Sequence, residues 1–285
     1  MANELQTKLD AILLDKNTNL KPENLKSGVT CLGVNGTLES GGSSDYNAKL
    51  VPTNGRITDY ITEISTQLDT SSVTDMSSMF YSCKNLTTIP LLDTSSVTDM
   101  NSMFQDCTNL TTIPLLNTSN VTNMGSLFYN CTNLTEIPLL DTSKVTTMSY
   151  TFHNCTNLTT IPLLDTSSVT DIIYMFDGCT NLTTIPLLDT SKVTTMNYMF
   201  NNCTGLTTVP QLDTSSVISM NRVFNNCTSL SDESLNNILA MCANATSYTR
   251  TKTLKQIGLI SEQATRCQSL SNYSAFTSAG WTTGY

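Results

Sequence analysis

The chain has 285 residues, 13% of them charged, and a formal net charge of −9. An acidic chain without basic clusters repels phosphate backbones, so nucleic acid is not expected as a partner. No apolar run approaches the ~20 residues that cross a bilayer, so membrane insertion is not expected either.

Residues 1–40 read as a small α+β module. Leu5, Leu9, Ile12 and Leu13 fall at helical spacing between Asn3 and Asp15. A turn follows at Pro22, then a Gly-punctuated β segment from Val29 to Leu38 with Asn35-Gly36 as its turn. The first ten residues mix charges of both signs and lack a long apolar core, so no secretory signal is expected. Residues 41–45 hold Gly41-Gly42-Ser43-Ser44, a flexible linker. Residues 46–68 read as a half-coil cap, because Ile61-Thr62-Glu63-Ile64 imitates the Leu-Thr-Thr-Ile of the units that follow.

Residues 69–230 repeat with a period of 24, and Cys83, Cys107, Cys131, Cys155, Cys179, Cys203 and Cys227 mark it without a slip. A fixed period of this size is the signature of a solenoid, here of seven stacked coils. Within a coil, Val73, Met76, Phe80 and Cys83 fall at steps of three and four, which predicts a short helix. Leu86 and Ile89 then predict a short parallel strand that closes at Pro90, since proline has no N–H for a ladder. The cysteine column reads as small buried thiols, because parallel side chains in a ladder suit the S–S torsion poorly. The Asp69, Asp93, Asn117, Asp141, Asp165, Asp189 and Asp213 column keeps an oxygen acceptor where it loses the charge, so turn-holding is expected rather than calcium. Asn85, Asn109, Asn133, Asn157 and Asn181 exchange with Gly205, which predicts a left-handed backbone position there.

Residues 231–285 leave the pattern. Leu235, Ile238, Leu239 and Cys242 predict an amphipathic helix capped by Ser231 or Asp232, and Ala264, Cys267 and Leu270 a second after Ser261. These helices are expected to seal the raw end of the solenoid, with Trp281 packed in the seal. Whether Cys242 and Cys267 pair is open at this stage.

The run Met-Phe-x-x-Cys-x-Asn-Leu-x-x-Ile-Pro, as at Met79–Pro90, resembles the BspA-like leucine-rich-repeat family. The resemblance implies a leucine-rich-repeat-type solenoid, surface exposure in bacteria, and a role in adhesion and recognition without catalytic residues. The stretch Leu20–Leu38 is similar to a short module of tail-associated proteins in phages and prophages of gut Gram-positive bacteria. That similarity implies a virion protein, attached to other tail proteins through residues 1–40 and meeting a host cell-surface protein or glycan through the solenoid. A cellular adhesin on the bacterial surface, or a purely structural spacer, is the alternative, and a homo-oligomer is compatible with each.

No enzyme, cofactor or metal is expected: the chain holds one His and no Cys-x-x-Cys pair or phosphate-binding Gly motif. Binding residues are sought instead in the columns that vary while the core columns stay fixed. One runs Ser78, Ser102, Ser126, Tyr150, Tyr174, Tyr198, Arg222, and a second runs Tyr81, Gln105, Tyr129, His153, Asp177, Asn201, Asn225. Their Tyr, Ser, Asn and Arg content resembles that of antibody contact loops, where Tyr supplies rigid amphipathic area. Ser78, Tyr81, Tyr129, Tyr150, His153, Tyr174, Asp177, Tyr198, Asn201 and Arg222 are the candidate contact residues.

Overall fold

The structure, a computed structural model, describes residues 36–39, 49–52, 70–89 and 92–285. The expected helix from Asn3 to Asp15, the turn at Pro22, the linker at 41–45 and most of the half-coil cap lie outside the described residues. Strands β1 (Gly36–Glu39) and β2 (Lys49–Pro52) pair antiparallel, with Gly36 opposite Pro52 and Glu39 opposite Lys49. Gly36, expected in a turn, opens β1 instead.

The coils stack as the period requires, but the backbone within each described coil is a chain of turns, not a helix. The Met79, Tyr81 and Cys83 amides donate three residues back, to the Met76, Ser78 and Phe80 carbonyls. Ser78 and Ser82 have φ of 57° and 59°, and this left-handed conformation stops a helix from propagating. The Met76, Ser78, Phe80 and Ser82 amides therefore bond outside the coil, to the Asp99, Asn101, Met103 and Gln105 carbonyls of the next one. Apolar steps of three and four suit consecutive turns as well as a helix, because both return the chain to the core every third or fourth residue.

The expected strand at Leu86–Ile89 is also replaced. The recurring parallel pairing is a single bridge earlier in the coil, running Asp75, Asp99, Asn123, Thr147, Asp171, Thr195, Ser219; on the Leu86 side only Thr184 and Thr208 pair, among the described residues. The left-handed positions sit at Ser78 and Ser82 and their equivalents, not in the Asn85 column. That column forms an amide ladder instead, with Asn157 Nδ2 donating to Asn133 Oδ1 at 3.2 Å. Gly205 ends the ladder, where a Cβ would stand 2.6 Å from the Thr180 carbonyl oxygen.

Eight positions of each of the first six coils face inward, at Val73, Met76, Met79, Phe80, Cys83, Leu86, Ile89 and Leu92 in the first, and the seventh coil keeps the six from Val217 to Leu230. The phenylalanines stack from Phe80 to Phe224, with centroids 5.3 Å apart between Phe80 and Phe104 and planes 3° from parallel. The cysteines are free and buried, and each thiol from Cys107 to Cys227 donates to the phenylalanine carbonyl of the preceding coil, as Cys107 does to Phe80 at 3.0 Å. Burial pushes the Cys227 thiol up to about 12 and raises Cys131, Cys155, Cys179 and Cys203 as well, so these thiols stay protonated and inert near neutrality. Buried threonines tie the coils at another corner, where Thr70 Oγ1 donates to the Asp93 carbonyl at 2.7 Å. In the next residue column Asp93 Oδ1 accepts from the Ser95 amide at 3.0 Å, and Asn117 Oδ1 does the same for Ser119 at 3.2 Å. Both are Asx turns, made by the side-chain oxygen acceptor that Asp and Asn share.

Helices α1 (Asp232–Asn244), α2 (Leu254–Ile257), α3 (Ser261–Cys267) and α4 (Tyr273–Ser278) follow the last coil. Ser231 caps α1, accepting from the Ser234 amide, and Asp232 and Glu233 complement the helix dipole. The cap supplies the carbonyls that an eighth coil would have offered. Arg222 and Phe224 donate to Gln256 and Ile257 at 2.9 Å, and Gln263 Nε2 satisfies the Cys227 carbonyl at 2.7 Å. Trp281 is buried against Tyr248, with ring centroids 4.9 Å apart. Cys242 and Cys267 are unpaired.

Candidate recognition surface

Each coil has two left-handed positions, and they are filled by different rules. At the second stand Ser82, Asp106, Asn130, Asn154, Gly178, Asn202 and Asn226, mostly the types that tolerate positive φ. At the first stand Ser78, Ser102, Ser126, Tyr150, Tyr174, Tyr198 and Arg222, with φ between 52° and 59°. Tyr and Arg gain nothing from that backbone, where a Cβ costs about 1–2 kcal/mol. The backbone therefore does not select Tyr or Arg at these positions.

The three tyrosines form one stack. Tyr150 and Tyr174 lie 4.8 Å apart and 11° from parallel, and Tyr174 and Tyr198 lie 4.6 Å apart at 4°. Each pair is worth about 0.5–1.5 kcal/mol. Partial burial raises the Tyr150 and Tyr174 hydroxyls above their ordinary value, so they stay protonated donors. The stack covers the ring faces and leaves edges and hydroxyls half-exposed.

The second column locks to the first. The His153 ring stacks on Tyr129 at 4.4 Å, with the planes 3° apart. Its Nε2 lies 3.2 Å from Asp177 Oδ2, and Asp177 is buried. Asp177 Oδ1 accepts from Asn201 Nδ2 at 2.7 Å, and Asn201 Oδ1 accepts from Asn225 Nδ2 at 2.7 Å. His153 and Asp177, expected on the surface, thus form an internal brace that fixes Tyr129 beside Tyr150. Ser78 and Tyr81 are half-buried at the far end of the same columns, and Arg222 is exposed.

Two features escaped the sequence reading. Leu115, Leu139, Leu163 and Leu187 are 62–64% exposed and make an apolar ridge along the coils. The doubled leucine after Pro114, Pro138, Pro162 and Pro186 signals it, since two adjacent residues of an extended segment point to opposite sides. A cleft of about 630 Å³ opens where the seventh coil meets the cap, lined by Tyr198, Asn221, Arg222 and Asn225 on one side and Lys255 and Gln256 on the other. Gly258 brings that wall close: its φ is 99°, and a Cβ would fall 2.4 Å from the Asn225 backbone nitrogen. No sequence pattern pairs these residues, because the cap lies outside the repeat.

Among the described residues no three His, Cys, Asp or Glu come together as metal ligands, and no helix is long and apolar enough to cross a membrane. Three solved bacterial leucine-rich-repeat proteins are similar in structure. The Treponema protein (T. pallidum) has a TM-score of 0.53 at 22% identity, covering 72% of this chain and 92% of its own. A Eubacterium ventriosum protein has a TM-score of 0.39 at 25% identity, covering 57% of this chain and 44% of its own. A Bacteroides ovatus protein has a TM-score of 0.25 at 17% identity, covering 61% and 64%. The first of these places the fold in the leucine-rich-repeat type. No curated protein matches the chain. A family model matches residues 55–162 and again 133–238, together more than half of the sequence. The chain belongs to that family, described as "Mycoplasma protein of unknown function, DUF285".

Proposed function

We propose that this is a non-catalytic recognition protein of bacterial surface-adhesion type, which holds its target along the outward face of the fourth to seventh coils. One observation carries the reading: the outward left-handed column changes from Ser to Tyr, Tyr, Tyr and Arg while the backbone beneath it stays the same. Large aromatics and arginine are the residues that dominate protein contact surfaces, and here they are continuous and braced. The likeness to leucine-rich-repeat proteins of bacteria agrees with such a role.

The test is attachment. Fluorescently labelled protein should bind a panel of bacterial and animal cells saturably on at least one member, and unlabelled protein should compete. Binding that never saturates, or that competitor leaves unchanged, rejects the reading.

The similarity of Leu20–Leu38 to tail-associated modules favours a particular carrier for the same role. In that version residues 1–40 hold the protein to other tail proteins of a phage, and the solenoid meets the host. Finding the chain on purified virions supports it. Finding it on intact cell surfaces and not on virions leaves the cellular adhesin.

A further inference from the structure

The cleft between the seventh coil and the cap has a chemistry of its own. Arg222 and Lys255 line it, and no Asp or Glu does, in a chain of net charge −9. The ion pairs among the described residues are His153–Asp177 and Arg266–Asp232, so neither cleft cation is neutralised by a carboxylate. Tyr198 ends the ring stack at this edge: one face lies on Tyr174, and the column continues as Arg222 instead of a further ring. Amides stand beside them, together with Leu259, Ile260 and Tyr285. Asn221 accepts from Gln256 Nε2 and donates to the Tyr198 hydroxyl at 3.5 Å, which leaves Gln256 Oε1 and Asn225 Oδ1 as acceptors without a donor.

We infer that this cleft binds a six-membered sugar bearing a carboxylate or phosphate group. The C–H face of the sugar packs on the side of Tyr198 away from Tyr174, as weakly positive C–H bonds do on an electron-rich ring. The guanidinium of Arg222 takes the acidic group in a two-pronged hydrogen bond, and Lys255, now 5.3 Å from the Tyr285 ring centroid, adds a second positive charge. Gln256 Oε1 and Asn225 Oδ1 accept from ring hydroxyls. The volume of about 630 Å³ suits one or two sugar units. An acidic peptide would satisfy the two cations and leave the ring and the amide acceptors unused. The cleft takes Tyr198 and Arg222 from the outward column, but the sugar titration reads it without cells, so its failure is distinguishable from a failure of cell attachment.

Calorimetric titration tests it, with glucuronic acid and glucose 6-phosphate as probes, glucose as the neutral control and a triglutamate peptide as the competitor class. At least one acidic sugar should bind saturably with a Kd of about 1 mM or tighter. Glucose and triglutamate should bind at least tenfold more weakly. R222Q/K255Q should lose at least tenfold in affinity for the acidic sugar, while L139S/L163S, away from the cleft, keeps it. Both substituted cations are exposed, and the unfolding midpoint of the double variant is measured alongside. Should that variant unfold early, chemical-shift changes in the native protein decide, and they should centre on Tyr198 and Gln256. Absence of saturable binding by either acidic sugar, equal binding of glucose, preference for triglutamate, an unaffected R222Q/K255Q, or shifts centred elsewhere would each overturn the inference.

Discussion

The first three coils and the last four are built on one backbone and finished differently. Phe80, Phe104 and Phe128 stack as closely as Phe176, Phe200 and Phe224 do, and Ser102 sits at the same φ as Tyr174 to within 2°. The outward side chains diverge most, while the inward columns change little beyond Leu127, Thr151 and Val223 at the Met79 position. The difference teaches that the repeat separates two tasks: the inward columns and the coil-to-coil amides hold register, and the left-handed column is free to carry whatever is to be shown. A helix would have projected its outward residues at varying angles, whereas here the same bond of every coil points the same way.

Truncating the core should hurt both halves equally. Phe104→Ala and Phe176→Ala should each cost about 3–5 kcal/mol in urea unfolding, as large cavities in packed cores do. A gap of more than about 1 kcal/mol between them would mean the halves are not equivalent inside. On the outward column the halves should part. Tyr174→Ser breaks two ring contacts and should cost about 1–3 kcal/mol, whereas Ser102→Tyr, with serines above and below, should change stability by less than about 0.5 kcal/mol. Equal effects would remove the stack as a feature of the later coils.

The thiols should be indifferent to which half they occupy. In a Cys31→Ser protein, native at about pH 8, iodoacetamide should label none of the cysteines from Cys131 to Cys227, because burial holds them above their ordinary value. Mass spectrometry that finds one coil labelled would locate local opening there.

The smallest effect concerns acid. The hydroxyl and amide of the serine two residues on hold Asp93, Asp141, Asp165 and Asp189 below the ordinary carboxylate value. A folded value below the unfolded one adds stability above the unfolded value, and this is lost as the pH falls through the folded one. Unfolding midpoints should therefore drop slightly below pH 3.8, and a D93N/D141N/D165N/D189N variant should show a shallower drop. Asn117 already makes the same turn without a charge, so its coil should not respond. A variant with an unchanged acid limb would remove the turn carboxylates as its cause.

The period carries most of this architecture. It fixed the coil number and the inward columns of Val73, Met76, Phe80, Cys83, Leu86 and Ile89, because a column that keeps its apolar character from coil to coil has one environment. It did not distinguish a helix from linked turns, since Val73, Met76, Phe80 and Cys83 return to the core at the same steps in either. That choice lies in the backbone, where Ser78 and Ser82 turn left-handed and send their amides to the next coil. The exchange of Asn with Gly at 205 pointed to the wrong column for the same reason: glycine there answers a close carbonyl, not a positive φ. On the surface, variation found the tyrosine stack but not the burial of Asp177, which depends on Asn201 and His153 meeting across neighbouring coils. The cleft was invisible because Arg222 belongs to the repeat and Lys255 to the cap.

The direct test of the central claim replaces the stack and nothing else. Y150S/Y174S/Y198S restores in the later coils the serine of the earlier ones, with L139S/L163S on the leucine ridge as a control. The account predicts that the triple variant still unfolds cooperatively and loses at least tenfold in cell-attachment affinity, while the ridge variant attaches like the parent. Attachment undiminished in the triple variant would contradict it.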